Sequence, residues 1–235
     1  MPTMPVPLAE FAERKLGCAG TISAADRLSP GLLHLQVSCP QPRRKRWAPG
    51  QEIEFRVGTR AFRHYNVLAY DEPAGVLGVL IHLHGDGPGS TWAGGREVGE
   101  QVVVLGPGGS LGQRPAERRL LLGDATTLGT FAGMIAAGPP GFVGAVEVAA
   151  ADVAAAEKLV PGLAVVPAQA EPGAALRGWL TASLADLGPV PADVAYLLGH
   201  AQTIQELRTI LRSSSTLDRR AIVTKPYWST GKAGL

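Results

Sequence analysis

Cysteine is nearly absent. The 235-residue chain has two, Cys18 and Cys39, far apart and without CxxC spacing. That argues against a disulfide framework or a structural zinc site, and for two reduced thiols. Long hydrophobic runs are missing too: no stretch approaches the ~20 apolar residues of a membrane span. The N-terminal "MPTMPVPLAEFAERK" contains acids and lacks an apolar core of signal-peptide length, so a cytoplasmic location is expected. Nor is there an excess of one charge. Lys and Arg number 22 against 20 Asp and Glu, a net charge of +2, which calls for no nucleic-acid partner. The one dense basic run, Arg43-Arg44-Lys45-Arg46 after Pro40 and Pro42, reads as a solvated loop or an anion-guiding patch. No internal repeat is visible.

What is present is a chain for one large domain or two small ones, 46% hydrophobic and 18% charged, long enough to bury roughly 70% of its unfolded surface. The first half reads as short strands with Gly/Pro punctuation. "GTISAADRLSPGLLHLQVSC" splits at Ser29-Pro30-Gly31. "QEIEFRVG" alternates, with Ile53, Phe55 and Val57 on one face. "RHYNVLAYD", "GVLGVLIHLHG" and "EQVVVLGPGG" follow. Five or six such strands predict a small antiparallel barrel. The second half alternates strands ("RRLLLGD", "VGAVEVA", "GLAVVPA", "VAYLLG", "RRAIVTKPYW") with helices, the pattern of βαβ units and a parallel sheet. The expected division is a barrel domain over 1–116 and an α/β domain over 117–235, across the polar "GQRPAERR".

Four stretches carry candidate chemistry. In "HGDGPGSTWAGG", residues 84–95, glycines follow a strand and Ser90-Thr91 open a short helix expected near Trp92. Small residues and free amides at a helix start suit a pyrophosphate, and a capped hairpin loop has the same look. "LLLGDATTLGT" and "YLLGHAQT" each end a strand at a helix, where an open parallel sheet binds ligands; ordinary capping is the alternative. "TKPYWSTGKAGL" ends in an aromatic pair that packs on the body or borders a planar ligand. His82 and His84 share a strand face, a poor metal site, and no metal is expected.

Taken in order, these stretches resemble the siderophore-interacting proteins, flavin-dependent ferric-siderophore reductases of the ferredoxin-reductase-like superfamily. The resemblance runs from about residue 16 to 231. It rests on "RHYN", "HGDGPGSTWA" with "VLGPGGSL", "LLLGDATTLGT", "LLGHAQTIQELRTILR" and "YWSTG", set against the family's Arg-x-Tyr-Ser/Thr motif, His-Gly…Gly-Pro-Ala-Ser-x-Trp-Ala loop, Gly-Asp-Glu-Thr-Ala turn, Ala-Gly-Glu turn and Tyr-Trp tail. It implies a six-stranded antiparallel FAD-binding barrel followed by a parallel-sheet α/β domain for NAD(P)H. Arg63 would neutralise flavin phosphate, Tyr65 pack on the isoalloxazine and Asn66 face N5, making Tyr65 and Asn66 the candidate catalytic pair. Gly87, Gly89, Ser90 and Thr91 would take the pyrophosphate, with Trp92 anchoring the loop and His84 in its scaffold. His64 should point away on its strand. NADH or NADPH would dock near Thr126, Thr127, Gly199 and His200, and Trp228 would border the cofactor. Lys225, Lys232 and Arg208 are candidates for guiding an anionic ferric siderophore, the small-molecule substrate.

The chain also departs from the family pattern. Leu68 and Ala69 stand where an Arg usually follows the flavin motif, Thr91 where an Arg is common in the loop, and Ala125 and His200 replace turn glutamates. Ser229 replaces a basic residue. The alternatives are a flavoprotein of the same fold acting on another substrate in a biosynthetic pathway, and a flavin-binding module without turnover. The sequence leaves open the acceptor, the donor (NADH, NADPH or ferredoxin) and the oligomeric state.

Overall fold

The computed structural model describes residues 5–39, 47–187, 192–214 and 217–231. The basic run at 43–46 and Lys232 lie outside them. The chain divides into two compact units, residues 1–110 and 111–235.

In the first unit, six strands close an antiparallel barrel: β1 (Gly17–Ser29), β2 (Leu32–Ser38), β3 (Glu52–Arg56), β4 (Phe62–Asp71), β5 (Val76–His82) and β6 (Gln101–Gly108), in spatial order β1-β2-β5-β4-β3-β6. Period-2 alternation drives this. Ile53 and Phe55 on β3, Leu33 and Leu35 on β2, and Val102 and Val104 on β6 all point into one buried core. Closure pairs each strand with two neighbours, so no strand lies at a free sheet edge. A short helix, α2 (Pro88–Gly94), lies between β5 and β6 and starts at Pro88 rather than near Trp92, because Pro is preset for the first helical position. A helix absent from the sequence reading, α1 (Val6–Leu16), precedes β1. It buries Ala9 and leaves Leu8 and Phe11 exposed.

The cysteines correct an expectation. Cys18 and Cys39 form a disulfide, with Cα atoms 6.6 Å apart. Antiparallel pairing of β1 with β2 sets Thr21 opposite Ser38, which brings the two residues beside each other despite a sequence separation of 21. Linear spacing carries no information about such a register.

The second unit is a five-stranded parallel sheet: β7 (Arg118–Asp124), β8 (Gly141–Val148), β9 (Ala164–Pro167), β10 (Val194–His200) and β11 (Ile222–Trp228), in order β11-β10-β7-β8-β9. Its helices are α3 (Leu128–Ala137), α4 (Val153–Leu159), α5 (Ala174–Leu187) and α6 (Ala201–Ser214). β10 is buried along its whole length, as a central parallel strand covered on both faces must be. Two buried charges fasten helices to the sheet. Glu147 accepts hydrogen bonds from Gly173 N at 2.7 Å and Leu176 N at 3.1 Å, satisfying amides at the start of α5. Arg119 donates to Met134 O at 2.8 Å, near the end of α3. The chain order reverses between β7 and β10, so the switch point of the sheet lies at their carboxyl ends.

Candidate functional site

On the barrel, the site is built from β4 and α2. Tyr65 pairs with Ile53 and Arg63 with Phe55 across β3, so both side chains take the core-facing side of β4. His64 falls on the other face, with Nδ1 3.2 Å from Glu52 and 3.8 Å from Glu54. α2 lies directly over the pair. A Cβ at position 89 would come 2.8 Å from Tyr65 Oη and 3.3 Å from Arg63 Cγ, which is why a glycine stands there. Gly87 is not crowded in this way and serves as the N-cap.

The aromatic rings form one group. Trp92 stacks on Phe55 at 4.9 Å and lies 6.3 Å from Tyr65, so it anchors the loop. Ser90 closes the same loop: its hydroxyl accepts from His84 N and donates to His84 O, both at 3.0 Å. The Ser90 hydroxyl is therefore part of the scaffold, along with His84. Thr91 donates its backbone N–H to Gly87 O and keeps its side chain exposed. Two atoms are left over. Tyr65 Oη and Asn66 Oδ1 are buried and make no hydrogen bond among the described residues. Burial pushes the Tyr65 phenol well above its ordinary value, against a smaller opposing effect of Arg63, so the group stays neutral. Arg63 itself donates to Phe62 O at 2.8 Å.

On the sheet, the switch point is organised by one carboxylate that the sequence reading treated only as a helix cap. Asp124, at the end of β7, accepts from Thr126 N at 2.9 Å, His200 N at 2.8 Å and the indole N–H of Trp228 at 2.8 Å, and from the Thr126 hydroxyl at 2.5 Å. Gly199 has a φ of +97°, and a Cβ there would sit 2.4 Å from Asp124 Oδ2. His200 stacks on Trp228 at 4.2 Å. Its Nδ1 lies 2.8 Å from Thr203 Oγ1 and its Nε2 2.9 Å from Thr230 Oγ1. The Thr203 hydroxyl also lies 3.2 Å from Pro172 O, an acceptor that ties it to the loop before α5. Thr126, Gly199, His200 and Trp228 come together here as the sequence suggested. Thr127 does not join them: it is fully buried and its hydroxyl donates to Asp124 O at 2.7 Å, so it supports the turn from within. Lys225 lies 5.7 Å from the Tyr227 ring centroid, and Arg208 keeps a buried Nε without a hydrogen bond. Among the described residues, no three His, Cys, Asp or Glu side chains gather as a metal site would require.

Residues 116–231 match the family model described as siderophore-interacting protein, and residues 56–111 that of the siderophore-interacting FAD-binding domain. Ferric vibriobactin reductase ViuB of Vibrio cholerae is 27% identical over 183 residues, covering 72% of this chain and 65% of ViuB. The chain thus spans about two thirds of the length of that relative. A siderophore utilization protein from T. fusca superposes with a TM-score of 0.77 at 20% identity, over 93% of this chain and 95% of that one. Phthalate dioxygenase reductase superposes with a TM-score of 0.73 at 13% identity, over 97% and 72%. The chain therefore shares the fold of these two proteins. The residues present also fit FAD, since the FAD-binding segment holds two buried polar atoms without protein partners and a glycine pressed against its tyrosine.

Proposed function

This chain belongs to the siderophore-interacting protein family, and we propose that it is an FAD-dependent oxidoreductase that uses NADH or NADPH to reduce a ferric siderophore and release iron(II). One observation carries the reading: Tyr65 Oη and Asn66 Oδ1 are buried without a partner among the described residues. Each such atom costs about 1–3 kcal/mol, and it persists in a fold where a ligand supplies the missing hydrogen bond.

FAD, when bound, supplies the relay between a two-electron donor and a one-electron metal acceptor. The protein does the rest. Tyr65 offers a flat ring and a neutral hydroxyl, and Asn66 an acceptor and a donor on the neighbouring strand face. Arg63 balances phosphate charge. The backbone at Gly89 packs closely on Tyr65 and Arg63 because no Cβ intervenes, and the first-turn amides of α2 after Pro88 would face the pyrophosphate without helical partners. On the sheet, Thr126, Gly199 and His200 would meet the reductant. Asp124 fixes their positions, and Trp228 gives the crevice a planar wall that excludes water. Iron(III) leaves its hard oxygen ligands once reduced, because iron(II) binds them far less tightly. No helix among the described residues is long and apolar enough to cross a membrane, and we place the reaction in the cytoplasm, where reduced pyridine nucleotide is held.

The test is an anaerobic titration of the yellow protein with NADH or NADPH, then addition of a ferric chelate beside a ferrous indicator. Bleaching followed by iron(II) is expected. Bleaching without iron(II) would sink the siderophore assignment. It would favour the second reading, a flavoprotein with another acceptor, which the replacement of the family's charged residues at Ala125, His200 and Ser229 supports. Bleaching by dithionite alone would point to a protein donor such as ferredoxin or to a passive flavin-binding module.

A further inference from the structure

An open α/β sheet grips a dinucleotide with helix-start amides on the pyrophosphate. It reads the ribose with an acid on the 2′-hydroxyl or a base on the 2′-phosphate. In the second unit each of these is spent or missing. Thr126 N and His200 N, at the ends of β7 and β10, both donate to Asp124, at 2.9 and 2.8 Å. The acid at the carboxyl end of the next strand, β8, is Glu147. It is only 5% exposed, and its two oxygens accept from Gly173 N and Leu176 N. Among the described residues, no basic side chain closely follows a strand. The first three residues after each of the five (125–127, 149–151, 168–170, 201–203 and 229–231) are all Ala, Thr, Gln, Ser or Gly.

Two cations close by in sequence are engaged elsewhere. Lys225, set back within β11, buries its Nζ 5.7 Å from the Tyr227 ring centroid. Arg177, in the first turn of α5, pairs with Glu171 at 3.1 Å and Glu206 at 2.6 Å. Among the described residues of this unit, then, nothing at the strand ends is placed to hold the charged bridge of a dinucleotide or to tell a 2′-hydroxyl from a 2′-phosphate. Recognition falls to the dihydronicotinamide. We propose that this chain takes simple N-substituted 1,4-dihydronicotinamides as hydride donors, with NADH and NADPH as equal members of that class. This rests on the proposed function, in which a dihydropyridine reduces the flavin. The chemistry is the same for every member: the donor gives one hydride from its C4 to the flavin and becomes the corresponding pyridinium cation.

Two measurements test this. In the first, FAD-loaded protein is mixed anaerobically with NADH, NADPH, reduced nicotinamide mononucleotide or 1-benzyl-1,4-dihydronicotinamide. The bleaching rate is divided by that of free FAD with the same donor, which removes the donors' own differences in reactivity. The four ratios should agree within about tenfold. In the second, ADP-ribose and 2′-phospho-ADP-ribose are titrated calorimetrically into the protein with and without FAD, and neither should show a saturable site up to about 1 mM. A wider spread among the ratios, or saturable binding of either ADP-ribose, would overturn the proposal and leave the reductase reading standing. Bleaching by dithionite but by none of the four donors would overturn that reading, and the proposal with it.

Discussion

Gly199 has neither the space nor the backbone for a side chain. Its φ is +97° and a Cβ would meet the Asp124 carboxylate at 2.4 Å. Gly199→Ala should therefore cost about 2 kcal/mol or more in denaturant unfolding; a midpoint matching that of the parent would mean that Asp124 is not fixed as described. At Tyr65, the ring should matter more than its hydroxyl. FAD titration should show Tyr65→Ala weakened by about tenfold and Tyr65→Phe by less, and parity of the two would remove the stacking role. At His34 the argument concerns protons. Burial holds its imidazole below the ordinary 6.5, against a smaller upward pull from Asp26. The unfolded chain therefore takes up the proton first as pH falls. The stability contributed by the neutral form is complete above about pH 6.5 and is lost as pH drops through that value toward the lower folded one. Melting temperature should fall on acidification, less steeply in His34→Gln; identical slopes would show that His34 does not contribute.

Single side chains also fasten whole elements. Glu147 is one residue, yet through Gly173 N and Leu176 N it holds the start of α5. Glu147→Ala should lower the unfolding midpoint by the equivalent of about 2 kcal/mol without changing the m-value, with Glu147→Gln closer to the parent because one acceptor survives. The elements themselves were readable because each obeys a local rule: β3 alternates, β10 is a continuous apolar run, and α6 repeats its apolar face at helical spacing. The features that escaped depend on distant partners. The Asp124 cluster joins residues 76 and 104 positions apart. The disulfide depends on the β1–β2 register. Helix α1 hid behind three prolines and a face only partly buried. The flavin motif was legible because its residues are consecutive on one strand. Thr127 looked equally exposed in the sequence, but it is turned inward by its own bond to Asp124 O.

For the molecule as a whole, ligand and redox state set stability by mass action. FAD at about a hundred times its Kd should add about 2.7 kcal/mol to the unit that binds it. For a unit of this size that is a rise in melting temperature of roughly ten degrees or more, and scanning calorimetry with graded FAD reads it. No shift would mean that the first unit does not bind the flavin. Thiol titration of unfolded, unreduced protein should find no free sulfhydryl, and two after reduction, since Cys18 and Cys39 are the only cysteines. Two thiols before reduction would show that the link is absent in solution.

The crevice of the sheet already contains an anion of its own making. The main-chain donors that an open α/β sheet lends to a phosphate, here those of Thr126 and His200, are saturated by the β-carboxylate at the end of β7. A pyridine dinucleotide cannot rest its negatively charged bridge there without displacing that group and meeting its charge. If NADH or NADPH docks here as proposed, it would present its uncharged dihydronicotinamide to this turn, with its phosphates farther out along the strand ends.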